Sequence, residues 1–159
     1  MILKEEKANL FNDIHKTCAH VVIAHCVNDL GIASSGFVVP LFEEFPAAKK
    51  EYLSFKHELG DVSYVSNGPF SIFNMCAQTG IRSKSCGPRD RVSEKPGRYS
   101  ALVKCLEKVK CQLELLKLTH SLEIHIPKIC SDRAGLSWEL VKELINEIWA
   151  DYPVYVYYL

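Results

Sequence analysis

The sequence lacks several features that would assign it at once to a large class of proteins. Lys and Arg number 19, and Asp and Glu also number 19, so the formal net charge is zero. Without excess positive charge, the chain is not expected to bind nucleic acid non-specifically, because affinity for the phosphate backbone comes from Lys and Arg. No apolar run approaches the roughly 18 residues that would cross a membrane, and residues 1–16 lack the apolar core of a signal peptide. We therefore expect an intracellular protein, cytoplasmic or nuclear, that does not enter a membrane.

Cysteine is present, but it forms no metal-binding pattern. The seven Cys are an odd number and are scattered, with no C-x-x-C pair and no His/Cys cluster at ligand spacing. The sequence therefore predicts neither a metal nor a cofactor. For an intracellular chain we expect reduced, mostly buried thiols. A catalytic cysteine is not expected, because no partner residue stands nearby in the sequence.

Short strand-like and helix-like segments alternate along the 159 residues. This length suits one monomeric domain over residues 1–159. Residues 20–27 (HVVIAHCV) are almost continuously β-branched or apolar, which is typical of a strand covered on both faces. Pro46 suits the first position of a helix, and Ser137 can cap another. The alternation predicts an α/β protein, a three-layer α/β/α sandwich with a largely parallel sheet.

Small and polar residues follow three of the predicted strands, at residues 28–36, 77–80 and 128–135. In a parallel sheet, ligands bind outside the carboxyl ends of the strands. The first and third segments run directly into helices, and backbone N–H groups at a helix start can hold an anion. Two such loops on one edge indicate a diphosphate. Simple turns before helices remain the alternative explanation.

The polar segment 79–98 carries Arg82, Lys84, Arg89, Arg91, Lys95 and Arg98 against Asp90 and Glu94, which is 6 − 2 = +4. Such a charge can raise the local concentration of an anionic ligand. A solvated loop without a ligand is the alternative.

Four motifs in order resemble the macro domain family, in its small single-domain branch. They are AHCVNDLGIASSGFVVPLFEEFPAAKKEY, NMCAQTGIR, KPGRYSALVKCLEKV and IHIPKICSDRAGLSW, and the final VYVYYL is similar to the closing strand of that branch. The resemblance covers nearly the whole chain. It implies a mixed sheet between helices and binding of ADP-ribose.

The resemblance also implies a set of ligand-binding residues. Asn9 takes the position that holds the adenine amino group, and Asn28 takes the position beside the distal ribose. Residues 31–37 would wrap that ribose, and residues 130–135 would cradle the diphosphate. The full implied set is Asn9, Gly31, Ser34, Ser35, Gly36, Phe37, Gln78, Gly80, Cys130, Ser131, Asp132, Arg133, Ala134 and Gly135.

The chain departs from the family pattern in both loops. One glycine of the first loop is a serine, and three glycines of the last loop are Cys130, Asp132 and Leu136. Glycine permits positive φ and close backbone approach, so these replacements are expected to narrow the pocket. Asp132 would also repel a diphosphate unless Arg133 offsets its charge.

His25, Asn28 and Asp29 are the candidate catalytic residues. A phosphatase acting on ADP-ribose 1''-phosphate has a comparable H-x-x-N pattern, and an imidazole titrates near neutrality. A strand histidine satisfied by the backbone and an Asx-turn at Asp29 are the structural alternatives. The Lys–Asp pair of other macro hydrolases is absent, because Gln78 and Ala134 occupy those positions.

Together these observations predict a macro-domain hydrolase acting on ADP-ribose 1''-phosphate or on an ADP-ribosyl linkage. The alternatives are a non-catalytic module that binds ADP-ribose or a related nucleotide, and a degenerate scaffold. The expected partners are ADP-ribose or a derivative, either free or as part of an ADP-ribosylated protein or nucleic acid.

Overall fold

A computed structural model describes residues 1–54, 56–81 and 95–159. In chain order its elements are β1 (Ile2–Lys7), α1 (Leu10–Asp13), β2 (His20–Asn28), α2 (Val38–Glu44), α3 (Pro46–Leu53), β3 (Val62–Asn67), β4 (Phe70–Gln78), α4 (Tyr99–Leu116), β5 (Leu122–Pro127), α5 (Trp138–Ile148) and β6 (Val154–Tyr158). The predicted order of strands and helices is confirmed. Of the charged segment 79–98, residues 82–94 lie outside the described residues.

Within the described ranges, six strands form one sheet in the order β1-β6-β5-β2-β4-β3. Every neighbouring pair is parallel except β3 and β4, which form an antiparallel hairpin. The sheet is therefore mixed and largely parallel, as expected. The chain runs from β2 through α2 and α3 to β3 at one edge of the sheet and turns back to β4 beside β2. It then crosses through α4 to β5 on the other side of β2 and continues through α5 to β6.

Two apolar cores cover the two faces of this sheet. Along β2, Val22 and Ala24 pack on the side of α4 and α5, whereas Val21, Ile23 and Val27 pack on the side of α1, α2 and α3. Alternate side chains of a strand point to opposite faces, so a strand covered on both sides must be apolar at nearly every position. The fold is the predicted three-layer α/β/α sandwich.

The two helix starts predicted from Pro46 and Ser137 differ in how far the structure matches them. Pro46 is the first residue of α3, as predicted. Ser137 directly precedes α5, but its side chain makes no capping hydrogen bond. The backbone N–H of Ser137 instead donates to Tyr99 Oη over 2.8 Å. That bond ties the start of α5 to the start of α4.

The expectation of reduced, mostly buried cysteines is wrong. Cys26 and Cys130 form a disulfide, with their Cα atoms 6.0 Å apart. Of the other cysteines in the described ranges, Cys76 and Cys105 are buried, whereas Cys18 and Cys111 are exposed. The sequence could not indicate the pairing, because the two bonded residues are 104 positions apart and meet only through the sheet.

In the described part of the chain, no helix combines the length and apolarity needed to cross a membrane. The same residues contain no group of three or more side chains arranged to hold a metal ion.

Candidate functional site

A crevice opens at the carboxyl ends of β2 and β5, where the strand order reverses. The ladder between these strands pairs His20–Ile23 with Leu122–His125 and stops there, although β2 continues to Asn28. A reversal of strand order leaves such a crevice between loops that depart to opposite faces, and ligands of α/β proteins bind in it. Residues 29–37, here called the β2 loop, and residues 128–137, the β5 loop, border this crevice.

Asn28 shapes the β2 loop from within. Its Oδ1 accepts the backbone N–H groups of Leu30 and Ile32 over 3.0 and 3.2 Å, and its Nδ2 donates to the Ile32 carbonyl over 2.8 Å. The Tyr52 hydroxyl lies 2.7 Å from the Asn28 carbonyl and 2.9 Å from its Oδ1. The side chain is 6% exposed and largely occupied by these partners. Asn28 therefore fixes the loop, and its predicted ribose contact remains a prediction.

Asp29 joins the β2 loop to the end of β4. One carboxylate oxygen accepts the backbone N–H of Gly80 over 2.8 Å, and the other lies 3.3 Å from the Thr79 hydroxyl. Gly80 adopts a φ of 72°, which glycine tolerates without steric cost. Gln78, the last residue of β4, stands beside this contact and forms an isolated bridge with Gly97. The structure thus brings Asp29, Gln78 and Gly80 together.

Cys130 begins the turn of the β5 loop in an unusual conformation. It is the only non-glycine residue with positive φ among those described, at 57°. This region costs an L-residue with a Cβ roughly 1–2 kcal/mol. The Cys130 carbonyl accepts the N–H of Leu136 over 2.9 Å, and its sulfur is bonded to Cys26. Position 130 therefore keeps the positive φ expected of the glycine that the family has there. In this chain a disulfide holds that conformation, which glycine would adopt without a restraint.

Backbone N–H groups remain available in both loops. Among the described contacts, the N–H groups of residues 33–37 and of residues 132–134 donate to no protein acceptor. In the β5 loop, Ser131 and Gly135 do make backbone bonds, to Lys128 and Asp132. Consecutive free N–H groups in a turn form a concavity that attracts anions. This is the arrangement that a diphosphate requires.

The two loops touch across the crevice. The Arg133 guanidinium donates to the Ser35 hydroxyl, and both residues are exposed. Gly36, at a φ of 80°, has open space where a Cβ would stand. An exposed pair of this kind contributes little stability, so it can open when a ligand enters.

Gly97 supports the back of the β5 loop, although no sequence pattern marks it. Its N–H donates to the Ala134 carbonyl over 2.9 Å. A Cβ at this position would lie 2.7 Å from Leu136 Cγ and 2.9 Å from the Ala134 oxygen. Only glycine fits there without moving the loop. The surrounding K-P-G-R-Y carries no signal of this contact, because the contact depends on tertiary packing.

His25 lies beneath the β2 loop rather than in the crevice. Its ring is 1% exposed and contacts Phe37 and Phe42. Asn74 Oδ1 is 2.5 Å from its Nε2, and the Asn74 amide also donates to the Ala48 carbonyl. Because Asn74 presents its oxygen, Nε2 carries a proton. Burial lowers the pKa of His25 to about 4, which opposes a role as a proton carrier near neutrality.

Asn9 stands at the same edge of the sheet, at the end of β1. It is exposed, and its Oδ1 caps α1 by accepting the Phe11 N–H over 3.0 Å. Phe11 stacks on Phe37 with ring centroids 5.5 Å apart. This stack links the Asn9 turn to the β2 loop along one continuous surface.

Two clefts flank the crevice. The described residues lining one of about 480 Å³ include Asp29, Gly31, Tyr52 and Lys56. Those lining the other, of about 430 Å³, include Arg98, Tyr99, Leu136 and Ser137. Between these two clefts, the Arg133–Ser35 contact and the Cys26–Cys130 disulfide join the β5 loop to β2 and its loop.

The predicted residues thus meet at one edge of the sheet, with the exception of His25, which lies inside. Sequence reasoning missed Tyr52, Asn74, Gly97 and Tyr99. All four lie within the quoted motifs, but their contacts join segments that are distant in the sequence, and a motif does not show such a contact.

Comparison with known proteins agrees with this architecture. No protein-family model and no curated protein matches the sequence. A solved structure of a macrodomain protein from Streptomyces coelicolor is 25% identical over 100% of this chain and 99% of its own, with a TM-score of 0.77. A protein of unknown function from Bacteroides thetaiotaomicron is 30% identical over 100% and 98%, also at 0.77.

A more distant structure is a mutant of the Oceanobacillus iheyensis macrodomain, solved with ADPR. It is 14% identical over 97% of this chain and 82% of its own, with a TM-score of 0.58, and so shows the fold alone. The six-stranded sheet, within the described ranges, and the helices on its two faces define an α/β/α sandwich. The chain has the macro domain fold, in agreement with the family that its four motifs resemble.

Proposed function

We propose that this protein binds ADP-ribose, or a derivative of it, in the crevice between β2 and β5. The observation that carries the proposal is the set of free backbone N–H groups on two loops that touch, at residues 33–37 and 132–134. A diphosphate offers several anionic oxygens at close spacing, and such a group fits donors on both sides. A single phosphate would engage only one loop.

The nucleoside end of the ligand fits toward Asn9. Strands lie about 4.8 Å apart, so β1 is roughly 14 Å from β2 across the sheet. The Phe11–Phe37 stack forms an apolar surface between them on which a base can lie. Asn9 Oδ1 keeps a second lone pair that can accept an adenine amino group. The distal ribose then lies beside Asn28 and Gly31.

Hydrolysis at the 1'' position is the second candidate function, and Asp29 favours it. Its carboxylate lines the 480 Å³ cleft and is oriented by Gly80, so it can hold a water beside the distal ribose. The free N–H groups would stabilise charge that develops on the departing phosphate. His25 takes no direct part in this scheme because its ring is buried.

Calorimetric titration with ADP-ribose tests binding. Gly36→Val places a branched side chain in the crevice and should abolish the heat of binding. Gly68→Val is the matched control, because Gly68 also has positive φ and an open Cβ direction but lies in the β3–β4 turn at the opposite edge. Equal binding by both variants, or no binding by the parent protein, would contradict the proposal.

Release of free phosphate from ADP-ribose 1''-phosphate tests turnover. If Asp29 positions the attacking water, Asp29→Asn should bind the substrate but release phosphate at least about 100-fold more slowly. A parent protein that binds without releasing phosphate would leave the binding module as the function.

A further inference from the structure

We propose that Cys26 and Cys130 form a reversible redox pair that sets the affinity of the crevice for its ligand. The inference rests on the proposed function, because the ligand whose affinity changes is the ADP-ribose derivative. In the oxidised state the pair shapes the β5 loop for binding, and in the reduced state it releases that loop.

The position of the disulfide is the first observation. The β2–β5 ladder ends at Ile23 and His125, and beyond that point no described backbone bond joins the two strands. Cys26 lies three residues further along β2, and Cys130 lies three residues beyond the end of β5. The disulfide therefore spans the gap between the diverging strands at the floor of the crevice. It provides a covalent link where the ladder provides none.

The backbone of Cys130 is the second observation. Its φ of 57° is unfavourable for any residue that carries a Cβ. The bond to Cys26 and the hydrogen bond from Leu136 to its carbonyl act directly on this residue. When the disulfide is reduced, the covalent restraint is lost, and only non-covalent contacts oppose relaxation to negative φ. Relaxation would turn the N–H groups of residues 132–134 away from the crevice.

The covalent step needs an oxidant of the low-molecular-weight disulfide class, such as oxidised glutathione. Cys26 is half-buried and Cys130 is buried, so the oxidant meets Cys26 first. The Cys26 thiolate attacks the oxidant, forms a mixed disulfide and displaces one glutathione thiolate. The Cys130 thiolate then attacks the Cys26 sulfur and displaces the second. The two protein thiols lose two electrons, which reduce one oxidised glutathione to two thiols, and the two protons pass to them or to solvent.

Affinity and redox state are linked in both directions. If oxidation tightens binding by a given factor, bound ligand must stabilise the disulfide against reduction by the same factor. The strain at Cys130 sets the expected size of that factor, which is about five- to thirtyfold.

The test uses the full chain, equilibrated with excess oxidised glutathione or with dithiothreitol. Peptide mass spectrometry first establishes that Cys26 and Cys130 are joined in one sample and free in the other. Calorimetric titration of ADP-ribose should then give a dissociation constant at least about fivefold lower for the oxidised protein. Equal dissociation constants in the two samples, or failure of oxidised glutathione to join these two residues, would overturn the inference.

Four variants sharpen the result. Cys26→Ser and Cys130→Ser should be insensitive to redox state and bind like the reduced parent. Cys130→Gly should also be insensitive but bind like the oxidised parent, because glycine adopts positive φ without a tether. Cys111→Ser removes an exposed cysteine on α4 and should respond like the parent. Weak binding by Cys130→Gly, equal to that of Cys130→Ser, would show that relaxation at this φ does not control affinity.

Failure of the proposed function is distinguishable from failure of this inference. If neither redox state binds ADP-ribose, the proposed function is wrong, and hydrogen–deuterium exchange still reports on the loop. Faster exchange of the hydrogen-bonded N–H groups of Ser131, Gly135 and Leu136 in the reduced protein would support redox control of the loop. Identical exchange in the two states would overturn it.

Discussion

The β2 loop and the β5 loop border the same crevice but are stabilised in opposite ways. The β2 loop is fixed largely by Asn28, the residue that directly precedes it, through bonds to Leu30 and Ile32. The β5 loop has short-range bonds of its own, but it is also held by two residues far from it in the sequence, Cys26 and Gly97. The shape of the first is therefore encoded locally, and the shape of the second depends on the assembled fold.

This difference explains why the β5 loop can lose more of the family's glycines than the β2 loop. The β2 loop keeps Gly31 and Gly36 at positive φ, where a side chain would be strained. The β5 loop keeps positive φ at position 130 with a cysteine, because a tether compensates for the lost glycine. The β2 loop therefore needs glycine at particular positions. The β5 loop accepts a residue other than glycine as long as its contacts with the rest of the fold remain. The predictions below follow in order of decreasing expected free-energy change.

Removal of the internal support of the β2 loop should have the largest effect. Asn28→Ala leaves the N–H groups of Leu30 and Ile32 without their acceptor in a partly buried site. We expect a loss of about 3 kcal/mol in the free energy of unfolding, measured by urea denaturation, together with weaker ADP-ribose binding. Equal stability of parent and Asn28→Ala would mean that this loop is not held from within.

Acid should weaken the packing beneath the β2 loop through His25. Because burial holds its folded pKa at about 4, below the unfolded value of 6.5, the unfolded chain takes up the proton first as pH falls. The stability is complete above pH 6.5 and is lost progressively toward pH 4, by about 3 kcal/mol in all. His25→Gln, which does not titrate, should show a smaller loss over this range. Parallel pH profiles for the two proteins would contradict the assignment.

A substitution that crowds the contact between Gly97 and the β5 loop should have the next largest effect. In Gly97→Ala the new methyl group would lie 2.7 Å from Leu136 Cγ, so the loop must shift. Overpacking of this kind costs about 2 kcal/mol, and we expect thermal unfolding to show the loss, with reduced ADP-ribose affinity. An intact loop, judged by unchanged exchange of residues 132–136, would show that Gly97 does not position it.

Gly36→Ala should strain the β2 loop without crowding it. No atom lies within 4 Å of the position that a Cβ would take, so the cost comes from the φ of 80° alone. We expect about 1–2 kcal/mol of lost stability by urea denaturation. An unchanged free energy of unfolding would show that the positive φ at position 36 carries no cost for a residue with a Cβ.

Asp132→Gly should have the smallest effect. The carboxylate repels a diphosphate in the β5 loop, but Asp132 is exposed and solvent screens it. We expect ADP-ribose to bind tighter by roughly 0.5 kcal/mol at low salt, with the gain shrinking at high salt. Weaker binding would instead indicate that Asp132 contacts a ribose hydroxyl.

The sequence was sufficient for the sheet and for the edge that carries the site. Strands such as β2 are apolar at nearly every position because helices cover both faces. This pattern is visible in the sequence alone. The N-D-L-G turn likewise carries its own bonds, so the β2 loop was predictable. The Cys26–Cys130 bond, the Asn74 partner of His25 and the role of Gly97 were not, because each joins segments that only the folded sheet brings together.

Hydrogen–deuterium exchange with and without ADP-ribose tests the central claim most directly, because it reports on both loops in one experiment. If the ligand lies in the crevice between β2 and β5, the N–H groups of residues 33–37 and of residues 132–134 should become protected together, while the β3–β4 turn stays unchanged. Protection of one loop alone, or of neither at saturating ADP-ribose, would contradict the account.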